Sequence, residues 1–307
     1  MLHYTSLVGV NLQNTWLTIG SFDGVHIGHQ QLINELNNKA RQNKAKSVVL
    51  TFHPHPAVVL RGRNDAFYLT TSVEKLKLLD ELNTDVVITH PFTLEISKSP
   101  AREFIIYLMD HLDFRQLWVG SDFALGKGRE GDVAFLSLLG SKLNYQVHVL
   151  KPILSDGRTV SSSLIRNMLM VGDIEEANKL LGRPYLISGE VIHGDGRGKS
   201  IGIPTANIET GNEKLIPAAG VYACRAQISD NFWLAAVNIG THPTFVSSNP
   251  RVNIEAHILD FSGDLYSQQL SLQFFTRIRA EQRFDHVEEL INQIHRYIKS
   301  TRDIFAR

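Results

Sequence analysis

The sequence is poor in cysteine, since Cys224 is the only one among 307 residues. A single thiol excludes an internal disulfide and any zinc site that needs several cysteines. Cys224 alternates with Tyr222, Ala226 and Ile228 on one face of a predicted strand, which favours a buried apolar thiol over a nucleophile. We therefore assign Cys224 no function.

The chain also lacks an excess of charge of either sign, because 31 lysines and arginines balance 31 aspartates and glutamates. Without a global positive field, nothing favours DNA or RNA as a partner, and any bound phosphate must be held locally. The start of the sequence has no basic segment followed by an apolar stretch, and nowhere do about 18 apolar residues run together. We expect a cytoplasmic protein without membrane contact, and protein partners stay open.

The length allows two cores, because a domain typically takes about 150 residues. Residues 16–155 alternate five short apolar runs with segments of helical periodicity. This alternation predicts an α/β domain with a parallel, Rossmann-like sheet and right-handed crossovers. A helix that closes with Gly182 and Pro184 marks the expected end of this domain, which spans residues 1–184.

From about residue 185 the pattern changes to apolar runs separated by turn clusters, with no helices between them. That spacing predicts a small antiparallel β-barrel domain over residues 185–307. An amphipathic C-terminal helix is expected to close it, with Asp285 and Glu288 as a capping pair. Its apolar face should carry Val287, Leu290, Ile291, Ile294 and Ile298.

The segment GSFDGVHIGHQQLI, residues 20–33, lies between the first predicted strand and its helix, where open α/β sheets bind ligands. Gly20 and Gly24 allow tight backbone turns close to a ligand, and the helix start offers backbone amides to a phosphate. His26 and His29 are three residues apart and can face one triphosphate. Such a pair can donate hydrogen bonds to charge that develops on an α-phosphate and its leaving pyrophosphate.

The string GxFDGxHxGH resembles the nucleotide-binding signature of the superfamily that includes adenylyltransferases and cytidylyltransferases. The resemblance adds Phe22 and Asp23 to the expected ATP site, although Asp23 could also be a simple Asx-turn residue.

A second string, SSSLIRNML at residues 161–169, resembles the superfamily's second signature, SSTxIR. Ser162 and Ser163 at a helix start can cap amides and contact phosphate, and Arg166 can neutralise the β- and γ-phosphates. Ser163 stands where the signature usually has threonine, which keeps the hydroxyl.

Three further strings resemble the FAD synthetase domain of bacterial bifunctional riboflavin kinase/FAD synthetases. They are TFHPHP at 51–56, FYLTTSVEKLKLLDEL at 67–82 and VGSDFALGKGREGD at 119–132. The resemblance implies that Asp122, Phe123 and the glycine-rich loop around Lys127 and Arg129 border the nucleotide and flavin sites.

The histidines leave an alternative open. His53 and His55 could join His26 and His29 in a zinc site, which would imply a metal-dependent hydrolase. We disfavour zinc, because no carboxylate or cysteine occurs at a familiar metal-ligand spacing.

The segment GEVIHGDGRGKSIGIPTANI, residues 189–208, resembles the riboflavin kinase signature of the same bifunctional family. A loop with Gly194 and Gly198 can wrap phosphates with backbone amides. Lys199 belongs to the same expected ATP site and departs slightly from the usual residue.

Thr205 and Asn207 follow this loop and place two oxygen donors on one face of an extended segment. Donors of this kind suit Mg²⁺ that bridges substrate phosphates. The expected metal residues are therefore Thr205 and Asn207.

Phosphoryl transfer to an alcohol needs a group that accepts or orients the hydroxyl proton. Glu255 matches the family's catalytic glutamate, although periodicity alone fits an outward-facing strand carboxylate equally well. His242 stands where the family commonly has arginine, so a phosphate contact there would be weaker or pH-dependent. Arg279 and Glu281 resemble positions that border the flavin.

Motifs resembling this family run in its order from Gly20 to Phe284. The resemblance implies two ATP- and Mg²⁺-dependent steps, riboflavin to FMN in the barrel and FMN to FAD in the N-terminal domain. The alternative is a flavin- or nucleotide-binding sensor that holds the same ligands without turnover.

Overall fold

The structure is a computed structural model that describes residues 1–63, 66–194, 198, 202–242, 251–282, 284 and 286–306. Residues 241, 242 and 251 are described by their backbone alone. The chain divides into two compact units, Met1–Ser162 and Ser163–Arg307.

The first unit contains ten strands in the described residues. They are β1 (Leu2–Tyr4), β2 (Thr15–Ile19), β3 (Lys46–Phe52), β4 (Val86–His90), β5 (Phe114–Gly120), β6 (Ala124–Leu125), β7 (Gly131–Asp132), β8 (Gln146–Leu150), β9 (Leu154–Ser155) and β10 (Arg158–Thr159). Six of them form one parallel sheet in the order β1-β4-β3-β2-β5-β8. The predicted parallel sheet is confirmed, and β1 is an additional edge strand that was too short to predict.

Helices follow the strands of the first unit, all but the short second one as the periodicity predicted. They are α1 (Ile27–Gln42), α2 (Pro56–Arg61), α3 (Ser72–Glu81), α4 (Ala101–Leu112) and α5 (Val133–Leu143). A capping box begins α3, with Thr71 and Glu74 each accepting a hydrogen bond from the other's backbone amide. α6 (Ser162–Val171) begins at the last residue of this unit.

Helices cover both faces of the sheet. Val48 and Leu50 of β3 join a core that includes Ile105 of α4. Val49 between them joins the opposite core, which includes Ile33 of α1 and Leu79 of α3. Alternate strand residues thus point to opposite helix layers, as a doubly wound sheet requires.

The sheet has a switch point between β2 and β5. From β2 the chain continues through β3 and β4 on one side, and β5 and β8 extend the sheet on the other. The loops that follow β2 and β5 therefore meet at the carboxyl edge, which is where such sheets bind ligands.

The second unit begins with α6 and α7 (Ile174–Leu181), which ends at Gly182 in the left-handed conformation. The strands of the second unit are β11 (Tyr185–Ile192), β12 (Ala206–Glu209), β13 (Gly220–Ile228), β14 (Asn231–His242), β15 (Arg251–Ile258) and β16 (Gln269–Ala280). They form a closed antiparallel barrel in the order β11-β12-β15-β14-β13-β16. The predicted barrel is confirmed, with the four-residue β12 added to the five expected strands.

Cys224 lies on β13 and is fully buried, as predicted. Burial raises the pKa of its thiol well above the ordinary value, because a thiolate would lose its solvation there.

The C-terminal helix is α8 (Val287–Phe305). Tyr297, Ile294 and Ile298 of this helix pack with Val221 and other residues of the barrel. The helix begins after His286, whose side chain makes no capping hydrogen bond, and the predicted capping pair of Asp285 and Glu288 stays a prediction. Asp285 itself lies outside the described residues.

The predicted packing face of α8 was wrong at its first residue. Val287 is 61% exposed. The helix therefore starts to cover the barrel only further along. Among the helices of the described residues, none combines the length and apolar character that a membrane crossing needs.

Candidate active sites

The loop between β2 and α1 has an unusual backbone. Phe22, Gly24 and Val25 have positive φ angles of 46°, 80° and 38°. Left-handed backbone is uncommon for a residue with a side chain and especially for β-branched valine, so other contacts must hold this loop. Gly20 lies directly below Phe22, since a Cβ at Gly20 would come 3.0 Å from the phenylalanine ring.

Asp23 supplies several of those contacts. Its carboxylate is 1% exposed and accepts hydrogen bonds from the backbone amides of Leu69 and Thr70 at 3.0–3.1 Å. The Thr70 hydroxyl in turn accepts from the Gly24 amide at 3.1 Å. The Ser162 hydroxyl donates to the Asp23 carbonyl at 2.8 Å. Asp23 thus ties the loop to the segment before α3.

His26 and His29 are brought together as predicted. His26 is the N-cap of α1, and its Nδ1 accepts from the His29 amide at 3.4 Å. An accepting Nδ1 places the proton of the neutral ring on Nε2, the form that can donate to a phosphate oxygen. Gly28 makes room for this ring, because a Cβ there would lie 3.2 Å from His26 Cε1.

Residues of the second signature lie at the start of α6. Ser162 contacts the loop through Asp23, as described above. Ser163 is exposed and Arg166 is half-buried one turn further along the helix. Both belong to the second compact unit, and their place in the ATP site stays a prediction.

Asp122 and Phe123 follow β5 at the carboxyl edge of the sheet. Asp122 is exposed, and its carbonyl accepts from the Arg129 guanidinium at 2.8 Å. Phe123 packs partly against the sheet core. The next loop is packed on α4, since a Cβ at Gly126 would come 2.6 Å from the Ala101 backbone nitrogen. Gly126 therefore permits close packing against α4, a role that is separate from ligand binding.

The four N-terminal histidines do not gather around one point. His55 is the N-cap of α2 and its Nδ1 accepts from the Ala57 amide at 3.0 Å. Within the described ranges, the structure contains no group of three or more histidine, cysteine or acidic side chains that could hold a metal ion.

In the barrel, Glu255 lies between two amide side chains. It is the direct cross-strand partner of Asn207 on β12 and of Asn238 on β14. Its neighbours in sequence, Ile254 and Ala256, are each 1% exposed and point inwards. Glu255 therefore faces outwards, on the same face of the barrel as Asn207. The two interpretations from the sequence, a catalytic glutamate and an outward-facing strand carboxylate, are therefore compatible.

Asn253 was missed in the sequence. Its Nδ2 donates to Glu255 Oε1 at 2.6 Å. The sequence contained a signal for it, because Asn253 is two residues from Glu255 and such residues share one face of a strand. An asparagine in a strand also fits a solvated surface, so this signal was not specific.

The glycine-rich loop of the barrel reaches its predicted oxygen donors. A Cβ at Gly194 would lie 2.1 Å from Asn207 Nδ2, and a Cβ at Gly198 would lie 3.0 Å from Thr205 Oγ1. Only glycine permits so close an approach at these positions. Lys199 lies outside the described residues, as does the side chain of His242.

Arg279 and Glu281 occupy different surroundings. The Arg279 guanidinium donates to the Tyr297 hydroxyl and lies over the ring of Phe284 at 5.4 Å, so it anchors the end of β16 to α8. A Cβ at Gly240 would lie 3.1 Å from Glu281 Oε1 and 3.5 Å from Asn238 Nδ2. Glu281 and Asn238 therefore both lie beside Gly240, and Asn238 is the cross-strand partner of Glu255.

Comparisons with known proteins match both halves of the chain. The family model for FAD synthetase matches residues 10–164, and that for riboflavin kinase matches residues 181–305. A Listeria monocytogenes protein named bifunctional riboflavin kinase/FMN adenylyltransferase is 35% identical over 295 residues, covering 96% of this chain and 93% of that protein. A Bacillus subtilis protein of the same name is 34% identical over 283 residues, covering 91% and 89%.

A solved structure from Streptococcus pneumoniae, described as a macrolide-efflux protein, is also similar. It matches with a TM-score of 0.90 and 26% identity, covering 98% of each chain. The word efflux belongs to the description of the Streptococcus pneumoniae protein and is not transferred to this chain.

Proposed function

The chain belongs to the family of bifunctional riboflavin kinase/FMN adenylyltransferases, and from that membership we propose how its residues divide the two reactions. The protein phosphorylates riboflavin with ATP to give FMN and ADP. It then adenylylates FMN with a second ATP to give FAD and pyrophosphate.

We assign adenylyl transfer to residues 1–184 and riboflavin phosphorylation to residues 185–307. The observation that carries this division is that each signature falls on its own architecture, the histidine pair at the switch point of the sheet and Glu255 on the barrel. Because both reactions consume ATP, we further propose that the enzyme works in the cytoplasm.

In the adenylyl-transfer site, a phosphate oxygen of FMN attacks the α-phosphorus of ATP, and pyrophosphate leaves with the electrons of the broken P–O bond. His26 and His29 donate hydrogen bonds to the negative charge that develops during this exchange. The start of α1 holds a phosphate, since the helix dipole favours an anion at its N-terminus. This donor array needs no covalent intermediate.

The surrounding residues shape this site. Gly20, Phe22 and Gly24 bring the backbone of the loop close to the ATP phosphates, and Asp23 holds the loop in place. Further contacts are proposed for ATP at Ser162, Ser163 and Arg166, and for the flavin at Asp122 and Phe123.

In the kinase site, Glu255 accepts the proton of the ribityl hydroxyl while that oxygen attacks the γ-phosphorus of ATP and ADP leaves. Asn253 orients the carboxylate, and Asn207 is its cross-strand neighbour. Gly194, Gly198 and Lys199 cover the phosphates. Arg279 and Glu281 are proposed to border the flavin. The contact of Arg279 with Tyr297 of α8 holds its side chain in place.

The residues of the barrel fit a bound Mg²⁺. Thr205 and Asn207 offer hydroxyl and amide oxygens. Gly194 and Gly198 pass so close to these two side chains that a Cβ on either glycine would fill the space beside them. Hard oxygen donors beside a phosphate-binding loop are the surroundings that Mg²⁺ prefers. When bound, Mg²⁺ neutralises charge on the phosphate oxygens.

Incubation of the protein with riboflavin, ATP and Mg²⁺, followed by chromatography of the flavins over time, tests this proposal. FMN should appear before FAD, with one ADP and then one pyrophosphate released. A binding module would release neither product. Chelation of Mg²⁺ should stop both steps, and full turnover in the presence of a chelator would contradict the metal site.

A further inference from the structure

Lys75 is a buried cation in the first unit. It lies in the first turns of α3 and is only 4% exposed. A lysine is almost never fully buried unless its ammonium is hydrogen-bonded, because the loss of solvation would otherwise be too costly. Here Lys75 Nζ donates to the Ser21 carbonyl at 3.0 Å and to the Thr51 hydroxyl at 3.1 Å.

The Ser21 carbonyl is held from two sides. Thr51, which is fully buried on β3, donates its hydroxyl to the same carbonyl at 2.9 Å. The ammonium, the hydroxyl and the carbonyl thus close a triangle that joins α3, β3 and the loop after β2. A carbonyl that accepts two side-chain donors has little freedom to rotate.

The orientation of this carbonyl bears on the residues that follow. A peptide unit is planar, so a fixed Ser21 carbonyl also fixes the amide of Phe22. Phe22 is the first residue of the loop with positive φ, and the edge of its ring lies against His29, with the ring centroids 5.2 Å apart. The triangle therefore sets the start of the segment that ends at His26.

We propose that Lys75 is a positioning residue of the adenylyl-transfer site. Its ammonium holds the Ser21 carbonyl, and this bond keeps the strained loop in the form that presents His26 and His29 to ATP. The inference rests on the proposed assignment of this loop to adenylyl transfer. An apolar side chain of similar length would fill the same space, but it would provide no donor to the carbonyl.

The test compares Lys75→Met with wild type and with Lys77→Met, a control at an exposed position two residues along the same helix. Misplacing reacting groups by about 1 Å can cost about 10²-fold in rate. We expect the adenylylation kcat of Lys75→Met to fall about 10- to 100-fold. The KM for FMN and riboflavin phosphorylation should stay within about twofold of wild type, and Lys77→Met should match wild type throughout.

Thr51→Val provides a second, nearly isosteric route to the same carbonyl. It should also lower the adenylylation kcat, and the double variant should lose less than the product of the two single losses, because both donors act on one acceptor. Wild-type adenylylation in Lys75→Met would overturn the proposal. So would losses that simply multiply, or an equal loss of both activities with a lower melting temperature.

Hydrogen exchange separates this inference from the assignment of the site. In Lys75→Met, amides of residues 22–29 should exchange at least about tenfold faster than in wild type, while those of β3 keep their rates. If wild type makes no FAD, the assignment of the loop fails, and the exchange rates still decide whether Lys75 orders it. Unchanged exchange in the loop would overturn the positioning role, and Thr51→Val answers the same question should Lys75→Met not fold.

Discussion

The imidazole rings of His26 and His29 are stacked, with their centroids 3.6 Å apart and their planes 20° from parallel. The two side chains project from the cap and first turn of α1, so the helix fixes both directions at once. Two imidazoles in contact present their donors over a span short enough for one phosphate chain. This spacing supports the proposal that the pair acts on a single ATP.

His29→Ala should cripple FAD formation and spare FMN formation. Loss of a donor to developing charge typically costs about 10²- to 10³-fold in kcat. The measurement is the initial rate of FAD formation from supplied FMN and ATP, beside the rate of FMN formation from riboflavin.

His295→Ala is the control, because this histidine is exposed on α8 and belongs to neither proposed site. A His29→Ala protein that still makes FAD at the wild-type rate would remove this histidine from the mechanism.

Glu255→Gln should lower riboflavin phosphorylation by about 10²-fold or more, since the amide cannot take the hydroxyl proton. Adenylylation of supplied FMN should remain largely intact. Single-turnover kinetics with each substrate separates the two activities. Glu209→Gln, at an exposed position on the neighbouring strand β12, is the matched control. Equal loss of both activities in Glu255→Gln would argue against separate sites.

Much of the fold could be predicted because its signals are local. The apolar residues Leu32, Ile33, Leu36 and Ala40 of α1 recur at helical spacing and are buried. The capping box of α3 needs only residues three apart. In contrast, β1 and β12 contain three and four residues, too few to show a period, and they exist because neighbouring strands provide hydrogen-bond partners.

The sites were predictable at the level of motifs and less so at the level of roles. His26 was expected near phosphate, but its service as an N-cap was not, because serine, threonine, aspartate and asparagine lead at that position. The partner of Asp23 lies 46 residues away at Leu69, beyond the reach of any local pattern. Lys75 lay within a family string, yet nothing in its spacing indicated that its ammonium is buried.

Gly194→Ala should weaken the kinase, because the added Cβ would lie 2.1 Å from Asn207 Nδ2. Either the loop or the amide must shift, and the proposed metal ligand moves with it. We expect kcat/KM for riboflavin phosphorylation to fall at least about tenfold, with a higher Mg²⁺ concentration needed for half-maximal rate.

Gly211→Ala is the matched control, since a Cβ at Gly211 would have no atom within 4 Å. It should leave both activities unchanged. A Gly194→Ala enzyme with the wild-type Mg²⁺ dependence would show that the close approach to Asn207 is not needed for metal binding.

The stability of the first unit should depend on pH through His90. Burial lowers the pKa of this imidazole, and the nearby His111 lowers it further. Its Nδ1 has no hydrogen-bond partner in the part of the chain that the structure describes. The neutral ring is therefore the form that the fold accommodates.

The sign follows from proton linkage. An unfolded histidine has a pKa of about 6.5, so near pH 6 the unfolded chain binds more protons at this position than the folded one. The stabilisation is complete above about pH 6.5 and is lost as the pH falls from there through the lower folded-state pKa. Melting temperatures measured between about pH 7.5 and about pH 5.5 should drop less in His90→Gln than in wild type. His295→Gln, changed at an exposed position, should keep the wild-type slope. If His90→Gln kept that slope as well, protonation of His90 would not be a source of the acid sensitivity.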